Sequence, residues 1–349
     1  MNIKFNYLDR GLIDFANLEG KLLLPNMNFC NQRVFYQKID KLELGIPMLL
    51  NANDNRFYKK NFFKLSENLI QKKIFLTKNR NYIPLKNYLK KGNEYCEPIN
   101  VKKKFFKKFQ FILRYNQSLI NYIKKLKRKK LKICSFQTRN IPHLGHEEII
   151  KYILNFCDHV VINPIIGLRK SGDINNFFLN KSFKFLIKKK FKNKVSFFPL
   201  ISNMFYAGPR EALHHLVVRQ NLGFDYFSIG RDHAGAFGQY KPLSAVNLCK
   251  KLSKNFKIKT IYHSGAYYCE KCKKIIISNT HLKHKKYFKN ISGSEFRKQL
   301  QKKKIYKYAD PNLQRYLFNF KRSSILILIV GKLSGLRSRA LSILINDFS

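Results

Sequence analysis

The amino-acid sequence predicts an α/β protein in which a doubly wound parallel sheet follows a β-rich N-terminal domain. The first observation is an alternation of strand-like and helix-like segments from about residue 132 onward. The second is a series of short strand-like runs among Asn, Gly and Pro before residue 102, and the third is a charge-rich helical pattern between the two. These observations divide the chain into an N-terminal domain with its linker, an α/β domain and a tail, at residues 1–125, 126–320 and 321–349.

The sequence predicts strands in the N-terminal segment and a helix in the linker. Short apolar runs such as "IPMLLNA" (46–52) lie between residues that favour turns, which predicts strands. Residues 102–132 combine many lysines with apolar residues at helical spacing. We expect them to form a helix that connects the two domains.

Strand-like and helix-like segments alternate in the second domain, and each strand-like run is short and apolar. We expect strands in "KICSFQ", "VVINPIIG", "KVSFFPL", "YFSIG" and "KIKTIYH", and helices in "HEEIIKYILNFC", "DINNFFLNKSFKFLIKKK" and "GPREALHHLVVRQNLG". The last helix has Pro209 near its start and Gly223 at its end, where these residues favour helix boundaries. Such alternation predicts a parallel sheet with helices on both faces, in which ligands bind at the carboxyl ends of the strands.

The formal net charge of +49, taken alone, indicates a protein that binds nucleic acid or an anionic membrane. Lysine is spread over nearly every segment, however, and Lys, Asn, Ile and Phe are abundant while Trp is absent. This composition is typical of an AT-rich genome, so we expect neither a specific nucleic acid nor a membrane as partner. The longest clean apolar run, 325–330, is also too short to span a bilayer.

The seven cysteines favour a reducing compartment. Their number is odd, the first five are scattered, and no cleavable signal sequence opens the chain. We therefore expect a cytoplasmic protein.

The loop "SFQTRNIPHLGHEE" (135–148) leaves the first predicted strand of the sheet and enters a helix. A helix start of this kind binds anions through free backbone N–H groups and the positive end of the helix dipole. Arg139 has a planar fork suited to a tetrahedral oxyanion, and His143 and His146 can donate to phosphate oxygens. A metal pair and a packed histidine pair stay open as interpretations of the two histidines.

Two classes of nucleotide-binding protein share this type of loop. It resembles the His-Gly-His signature of the nucleotidyltransferase superfamily, which includes class I aminoacyl-tRNA synthetases. Those synthetases have a second, lysine-rich signature, and "KLSKN" (251–255) is similar to it. In a chain this rich in lysine, such a pentamer arises easily by chance.

Three further motifs favour a different member of the superfamily: "NPIIGLRKSGD" (163–173), "FYAGPREALHHLVVRQNLG" (205–223) and "SIGRDHAGAFGQY" (228–240). Together with the first loop, in order and spacing, they resemble the ATP sulfurylase (sulfate adenylyltransferase) family over about residues 130–300. A synthetase has no counterpart to "GRDHAG" or "YAGPREALHH". The resemblance implies a Rossmann-like nucleotidyltransferase domain preceded by a PUA-like domain, and a homo-oligomer.

The resemblance also implies a reaction, in which sulfate and MgATP give adenosine 5'-phosphosulfate and pyrophosphate, during sulfate assimilation or in reverse. The implied sulfate site consists of Gln137, Arg139 and the backbone of Ala234. The implied ATP site consists of Gln137, Thr138, Arg139, Asn140, His143, His146, Gly230, Arg231, Asp232 and His233. The implied catalytic residues are Thr138, Arg139, Asn140, His143 and His146. By the resemblance, Thr138 and Asn140 would contact the nucleotide phosphates, and His143 and His146 would stabilise the charge that develops on them.

Other residues of these motifs have a less defined role. Arg169, Arg210 and Arg219 are equally compatible with direct ligand binding and with structural ion pairs. His214 and His215 lie in the middle of a predicted helix, and we expect them to be packing residues.

One segment departs from the family pattern. After "GRDHAG" the family usually has another glycine or two and a Tyr-x-Ala-Gln segment, whereas this chain has "AFGQYKPLSA". This change keeps an alternative open, namely a catalytically weakened or silent sulfurylase-like scaffold subunit.

A candidate metal site lies in "YYCEKCKKIIISNTHLKH" (267–284). Cys269, Cys272, His281 and His284 provide two sulfur and two nitrogen ligands, a set that zinc binds tetrahedrally. Some ATP sulfurylases have a similar zinc insertion here, usually with a third cysteine where this chain has His281. We predict a structural zinc site, and the alternative is a degraded site with two free thiols.

The tail "SSILILIVGKLSGLRSRALSILINDFS" (323–349) begins with an apolar run. In some relatives an adenylylsulfate kinase is fused here and begins with a strand and a Gly-Leu-Ser-Gly-x-Gly-Lys-Ser phosphate loop. The tail resembles a degenerate start of that domain, with Leu336 and Arg337 in place of the second glycine and the lysine of the general phosphate-loop pattern. An ordinary strand–turn–helix cap explains it equally well. Both interpretations predict no kinase activity, because a leucine side chain obstructs the backbone cradle for phosphates and the chain ends too soon for a kinase core.

Overall fold

The computed structural model describes residues 9–22, 28–90, 92–167, 174, 176–278 and 281–319. The predicted tail and Arg169 lie outside the described residues, so the kinase remnant stays a prediction. Within those residues, no helix combines the length and the apolar character needed to cross a membrane.

The N-terminal part contains a three-stranded antiparallel sheet with helices around it. The strands are β1 (Leu50–Asn51), β2 (Phe57–Lys64) and β3 (Glu94–Val101), and the helices are α1 (Arg10–Glu19), α2 (Gln32–Lys38), α3 (Glu67–Leu69) and α4 (Ile83–Leu89). Strand β3 lies between β1 and β2.

The prediction of a β-rich domain overstated the strand content of this part. Several polar residues and a proline of this part lie at the starts of helices and not in turns between strands. The Asn31 side chain accepts from the Val34 N–H at the start of α2, the Ser66 hydroxyl accepts from the Leu69 N–H, and Pro84 lies in the first turn of α4. The PUA-like assignment stays a prediction.

The predicted connector forms helix α5 (Phe106–Arg128), but it is packed into the molecule on one face. Asn116 on this buried face donates to Asn17 Oδ1 (2.7 Å) and to the Ile201 carbonyl (2.8 Å). One continuous apolar core includes residues of α1, α5 and the second part of the chain. The two predicted domains therefore share a core.

The second part is built on a five-stranded parallel sheet, as the alternation predicts. Its strands are β4 (Ile133–Phe136), β5 (His159–Ile162), β6 (Val195–Phe197), β7 (Tyr226–Ile229) and β8 (Lys259–Tyr262). Their order is β6-β5-β4-β7-β8, and all four pairings are parallel. The chain therefore winds outward from β4 in one direction and then returns to add β7 and β8 on the other side.

Helices cover both faces of this sheet. A small three-stranded antiparallel sheet, formed by residues 266–277 and 288–290 and called the hairpin below, follows it. The helices are α6 (Leu144–Ile153), α7 (Asn176–Leu186), α8 (Pro209–Asn221) and α9 (Ser244–Lys251). Apolar residues of α6 and α7 belong to one buried cluster, and those of α8 and α9 belong to a second, which also contains residues of α1 and α5. After the sheet come β9 (Ala266–Cys269), β10 (Lys274–Ile277), β11 (Phe288–Asn290), α10 (Gly293–Gln301) and a last helix, α11, over residues 311–319.

Candidate active site

A cavity of about 540 Å³ opens at the carboxyl ends of β4 and β7, where the winding direction of the sheet reverses. This is the position at which open α/β sheets bind their ligands, and the volume is that of a small-molecule site. All eleven residues predicted for ATP and sulfate line it: Gln137, Thr138, Arg139, Asn140, His143, His146, Gly230, Arg231, Asp232, His233 and Ala234.

The loop after β4 is ordered by a chain of hydrogen bonds through His146. The His143 N–H donates to His146 Nδ1 (3.3 Å), and His146 Nε2 lies 3.1 Å from Thr138 Oγ1. Because Nδ1 accepts, a neutral His146 has its proton on Nε2 and donates it to Thr138. Thr138 Oγ1 also accepts from the Asn140 N–H (3.3 Å), so the hydroxyl proton can be donated into the cavity.

Both histidines of this loop are neutral at neutral pH. Burial lowers the pKa of His143 to about 4 and lowers the pKa of His146 well below its usual value. Their contribution is therefore hydrogen bonding, and the positive charge at this edge of the sheet comes from arginine.

Arg139 is held between two other loops. Its Nη2 donates to the Gly235 carbonyl (3.0 Å), and its guanidinium lies 5.4 Å from the centre of the Tyr206 ring. Tyr206 has a left-handed backbone (φ 59°), and its carbonyl accepts from the Tyr82 hydroxyl at 2.6 Å. The N-terminal part of the chain thus helps to fix the loop against which the Arg139 side chain stacks.

The "GRDHA" loop after β7 bends so that its backbone follows the cavity. Gly230 packs directly on His263, since a Cβ there would lie 2.3 Å from a ring carbon. Asp232 and Ala234 both have left-handed backbones, with φ of 57° and 56°. The Ala234 carbonyl accepts from the Gly208 N–H (3.2 Å), which joins this loop to the "YAGPRE" loop.

Arg231 is oriented by the small hairpin. Its Nη1 donates to the Tyr267 hydroxyl (2.6 Å) and to Asn290 Oδ1 (3.0 Å), and its guanidinium stacks on the Tyr267 ring at 5.1 Å. These contacts place the hairpin beside the cavity.

Sequence reasoning missed several residues of the cavity, including Ser228, His263 and Arg297. Arg297 Nη1 donates to Asn140 Oδ1 at 2.5 Å, from a helix whose start is capped by Ser292. The Ser-x-x-Glu pattern at 292–295 predicts that cap. His263 directly follows β8, so the rule that ligands bind at carboxyl ends of strands identifies it as well.

Buried polar atoms without a partner among the described residues converge on the cavity. They are Gln137 Oε1, His143 Nδ1, Ser228 Oγ and His263 Nδ1. Because buried polar groups are nearly always paired in folded proteins, such atoms indicate the place of a polar ligand or of water.

The two buried arginines of α8 have structural roles. Arg210 donates to the backbone carbonyls of Gly45 (2.7 Å), Ile39 (2.6 Å) and Lys73 (2.6 Å), all in the N-terminal part. Arg219 donates to the Asn163 carbonyl (3.2 Å). Neither residue lines the cavity, so the structure favours the structural interpretation, with carbonyls as the main partners.

The four predicted metal ligands converge at one end of the hairpin. Cys269 ends β9, Cys272 lies in the following turn, and His281 and His284 lie at a short 3-10 helix. Their ligand atoms all lie within 4.8 Å of one another. Cys272 Sγ is 3.1 Å from His281 Nε2 and 3.0 Å from His284 Nδ1. Two thiols and two imidazoles in such a cluster fit a tetrahedral zinc ion.

The doubly wound sheet, with arginines, hydroxyls and neutral histidines around a cavity at its reversal point, is typical of Rossmann-like α/β proteins, which bind their ligands at this position. A family model described as ATP-sulfurylase matches residues 115–306, which is more than half of the chain. The chain belongs to the ATP-sulfurylase family, as the motifs predicted.

Curated relatives agree with this assignment. The chain is 38% identical to a sulfate adenylyltransferase of Ignicoccus hospitalis over 174 residues, covering 50% of this chain and 45% of that protein. It is 39% identical to that of Hyperthermus butylicus over 169 residues (48% and 43%), and 36% identical to that of Pyrococcus abyssi over 171 residues (49% and 45%). The chain thus spans a little under half the length of these relatives.

A solved structure shares the fold at low sequence identity. A hexameric APS kinase from Thiobacillus denitrificans superposes with a TM-score of 0.59 at 14% identity, covering 91% of this chain and 62% of that one. At this identity the likeness concerns the fold alone.

Proposed function

We propose that the chain is a sulfate adenylyltransferase, which joins sulfate to the adenylyl group of ATP and releases pyrophosphate. The observation that carries the proposal is that all eleven residues implied by the family motifs surround one cavity. The site matches the demands of the substrates, because both are oxyanions that need fixed N–H, O–H and guanidinium donors.

In the proposed reaction, a sulfate oxygen forms a bond to the α-phosphorus while the bond from that phosphorus to the pyrophosphate oxygen breaks. Arg139, Gln137 and the Ala234 N–H would hold sulfate, and the Thr138 hydroxyl would donate to a phosphate oxygen. Magnesium would enter with ATP as part of the substrate. No nucleophilic side chain is needed, so catalysis would come from positioning and from stabilising charge in the transition state.

The alternative, a silent scaffold subunit, is not favoured. Its basis was the altered segment after Gly235, yet this segment is anchored by specific contacts. The Gln239 side chain bonds Thr77 Oγ1 (2.7 Å) and the Asn79 amide (2.9 Å), and the Tyr240 hydroxyl donates to the Phe75 carbonyl at 2.5 Å.

The proposed function is tested by incubating the purified chain with MgATP and sulfate and following pyrophosphate. We expect release that depends on sulfate, together with adenosine 5'-phosphosulfate on chromatography. Release that is unchanged when sulfate is omitted would exclude the proposal and leave the scaffold alternative.

We further propose that Cys269, Cys272, His281 and His284 hold one zinc ion. The donor set is closed, so the ion would be structural and would cross-link the hairpin. The ion would affect the cavity indirectly, because Tyr267 on β9 accepts a hydrogen bond from Arg231, which lines the cavity.

Metal analysis of protein purified without chelator tests this site. We expect about one zinc per chain, which Cys272→Ser removes while Cys249→Ala, at a buried cysteine outside the cluster, leaves it in place. Equal zinc content in the two variants, or none in the unmodified chain, would contradict the site.

The proposal also includes the cellular location and the oligomeric state of the chain. The seven cysteines are all unpaired in the structure, which supports a reducing, cytoplasmic location. The resemblance to the ATP sulfurylase family supports a homo-oligomer, and light scattering of the purified chain would measure its mass.

A further inference from the structure

A line of three buried or partly buried side chains leads from helix α8 to the cavity. Glu211 accepts from two backbone N–H groups, Phe205 at Oε1 (2.8 Å) and Ala207 at Oε2 (2.9 Å). His215 Nε2 lies 3.3 Å from Glu211 Oε1, and His215 Nδ1 lies 3.2 Å from His233 Nε2. His233 lines the cavity, whereas Glu211 and His215 do not. The packing role predicted for His215 was therefore incomplete, since it also contacts a residue of the site.

The carboxylate favours one arrangement of protons on the two rings. His215 Nε2 makes no aligned hydrogen bond among the described residues, but the Glu211 oxygen lies 3.3 Å away, and this negative charge favours an N–H over a bare lone pair at Nε2. His215 Nδ1 is then an acceptor, and His233 Nε2 must be the donor in the contact between the rings. His233 Nδ1 consequently keeps its lone pair.

The His215 and His233 rings are uncharged, and the Glu211 carboxyl group is ionised above neutral pH. Burial lowers the pKa of His215 and of His233 well below the usual histidine value. Burial also raises the pKa of Glu211 to about 7, against the two backbone N–H groups that lower it. At pH 8 the arrangement of protons described above is therefore the populated one.

We propose that Glu211 and His215 are positioning residues that make His233 a hydrogen-bond acceptor for the bound nucleotide. Deprotonated phosphate oxygens cannot donate to a bare ring nitrogen, so His233 Nδ1 selects a group that has a proton to give. In ATP these groups are the sugar hydroxyls and the amino group of the base. The inference rests on the proposed function only in taking a nucleotide as the ligand.

The first test needs no substitution in the protein that is measured. The full chain is labelled with ¹⁵N in its histidine rings, and the ring nitrogens of His233 are assigned by comparison with a His233→Gln sample. At pH 8 we expect a neutral His233 with its proton on Nε2. A proton on Nδ1, or a charged ring, would overturn the inference.

The second test compares nucleotide binding by calorimetry, with His214→Gln as the matched control. His214 is the neighbouring buried histidine on α8, packed on Phe205 and away from the cavity. The probes are ATP, 2'-deoxy-ATP, 3'-deoxy-ATP and the triphosphate that lacks the amino group of the base, which distinguish the candidate donors.

We expect the unmodified chain to bind one of these analogues roughly 10-fold more weakly than ATP, the effect of losing one hydrogen bond. His215→Gln should bind ATP as weakly as that analogue and no longer discriminate, while His214→Gln should discriminate as the unmodified chain does. Full discrimination by His215→Gln, or none by the unmodified chain, would overturn the inference. A chain that binds ATP with this selectivity but transfers no adenylyl group would contradict the proposed function alone.

Discussion

At the residue scale, the site combines a few charged groups with several neutral donors. Burial keeps His143 and His146 uncharged, so Arg139 supplies the positive charge of the loop after β4. The motifs identified these residues from the sequence. They could not show that His146 orients Thr138, because that depends on ring geometry and on which nitrogen holds the proton.

Arg139→Ala tests the charge assigned to this residue. We expect kcat/KM for sulfate to fall by about 100-fold or more, because a fixed donor to the transition state is lost, while the thermal unfolding midpoint changes little. Arg315→Ala is the control, since Arg315 is exposed on α11 and, among the described residues, its side chain bonds locally to Asn312 (3.3 Å). A steady-state assay with varied sulfate measures both, and equal activity of the two variants would refute the role of Arg139.

At the element scale, the parallel sheet was predictable and the N-terminal part was not. Four of the five strands of the sheet, β4 to β7, are short runs with a helix after them, so local pattern defines them. In the N-terminal part, Asn31 and Ser66 serve equally well in turns and at helix starts. Only the packing of the segment distinguishes these two uses, and packing depends on residues far away in the chain.

The segment after Gly235 gives the second prediction at this scale. Tyr240→Phe removes the hydroxyl that donates to the Phe75 carbonyl but keeps the ring that packs on Gly208 and Tyr82. We expect a loss of about 1–2 kcal/mol in the free energy of unfolding, with turnover nearly unchanged.

Tyr240→Ala also removes the ring and should lower turnover, because the loop that presents His233 and Ala234 loses its support. Denaturant titration and steady-state kinetics measure these effects, and an unaltered turnover in Tyr240→Ala would contradict this account of the loop.

At the scale of the whole molecule, the predicted boundary at residue 125 does not separate two cores. Arg210 on α8 bonds three carbonyls of the N-terminal part, and one apolar cluster runs through both. The charge-rich pattern of α5 suggested a connector between two domains, because the solvated face of the helix is rich in lysine. Contacts between segments more than 100 residues apart leave no local pattern, so the shared core could not be predicted.

The tail leads to a prediction about the product. Leu336 and Arg337 occupy the positions at which a phosphate loop needs glycine and lysine. We therefore expect the chain to form adenosine 5'-phosphosulfate and not to phosphorylate its 3' hydroxyl. Chromatography of products from ATP and sulfate checks this, and a 3'-phosphorylated product from homogeneous protein would show that the chain has a second activity.

The most direct test of the central claim is ATP formation from adenosine 5'-phosphosulfate and pyrophosphate. A contaminating phosphatase or ATPase can release phosphate or pyrophosphate from ATP, but it cannot make ATP from these two compounds. If the cavity binds an adenylyl group between sulfate and pyrophosphate, the purified chain should produce ATP in this direction, and Arg139→Ala should reduce the rate by about 100-fold or more. No ATP from the folded, unmodified chain, with pyrophosphate and magnesium in excess, would contradict the assignment of this cavity as an adenylyl-transfer site.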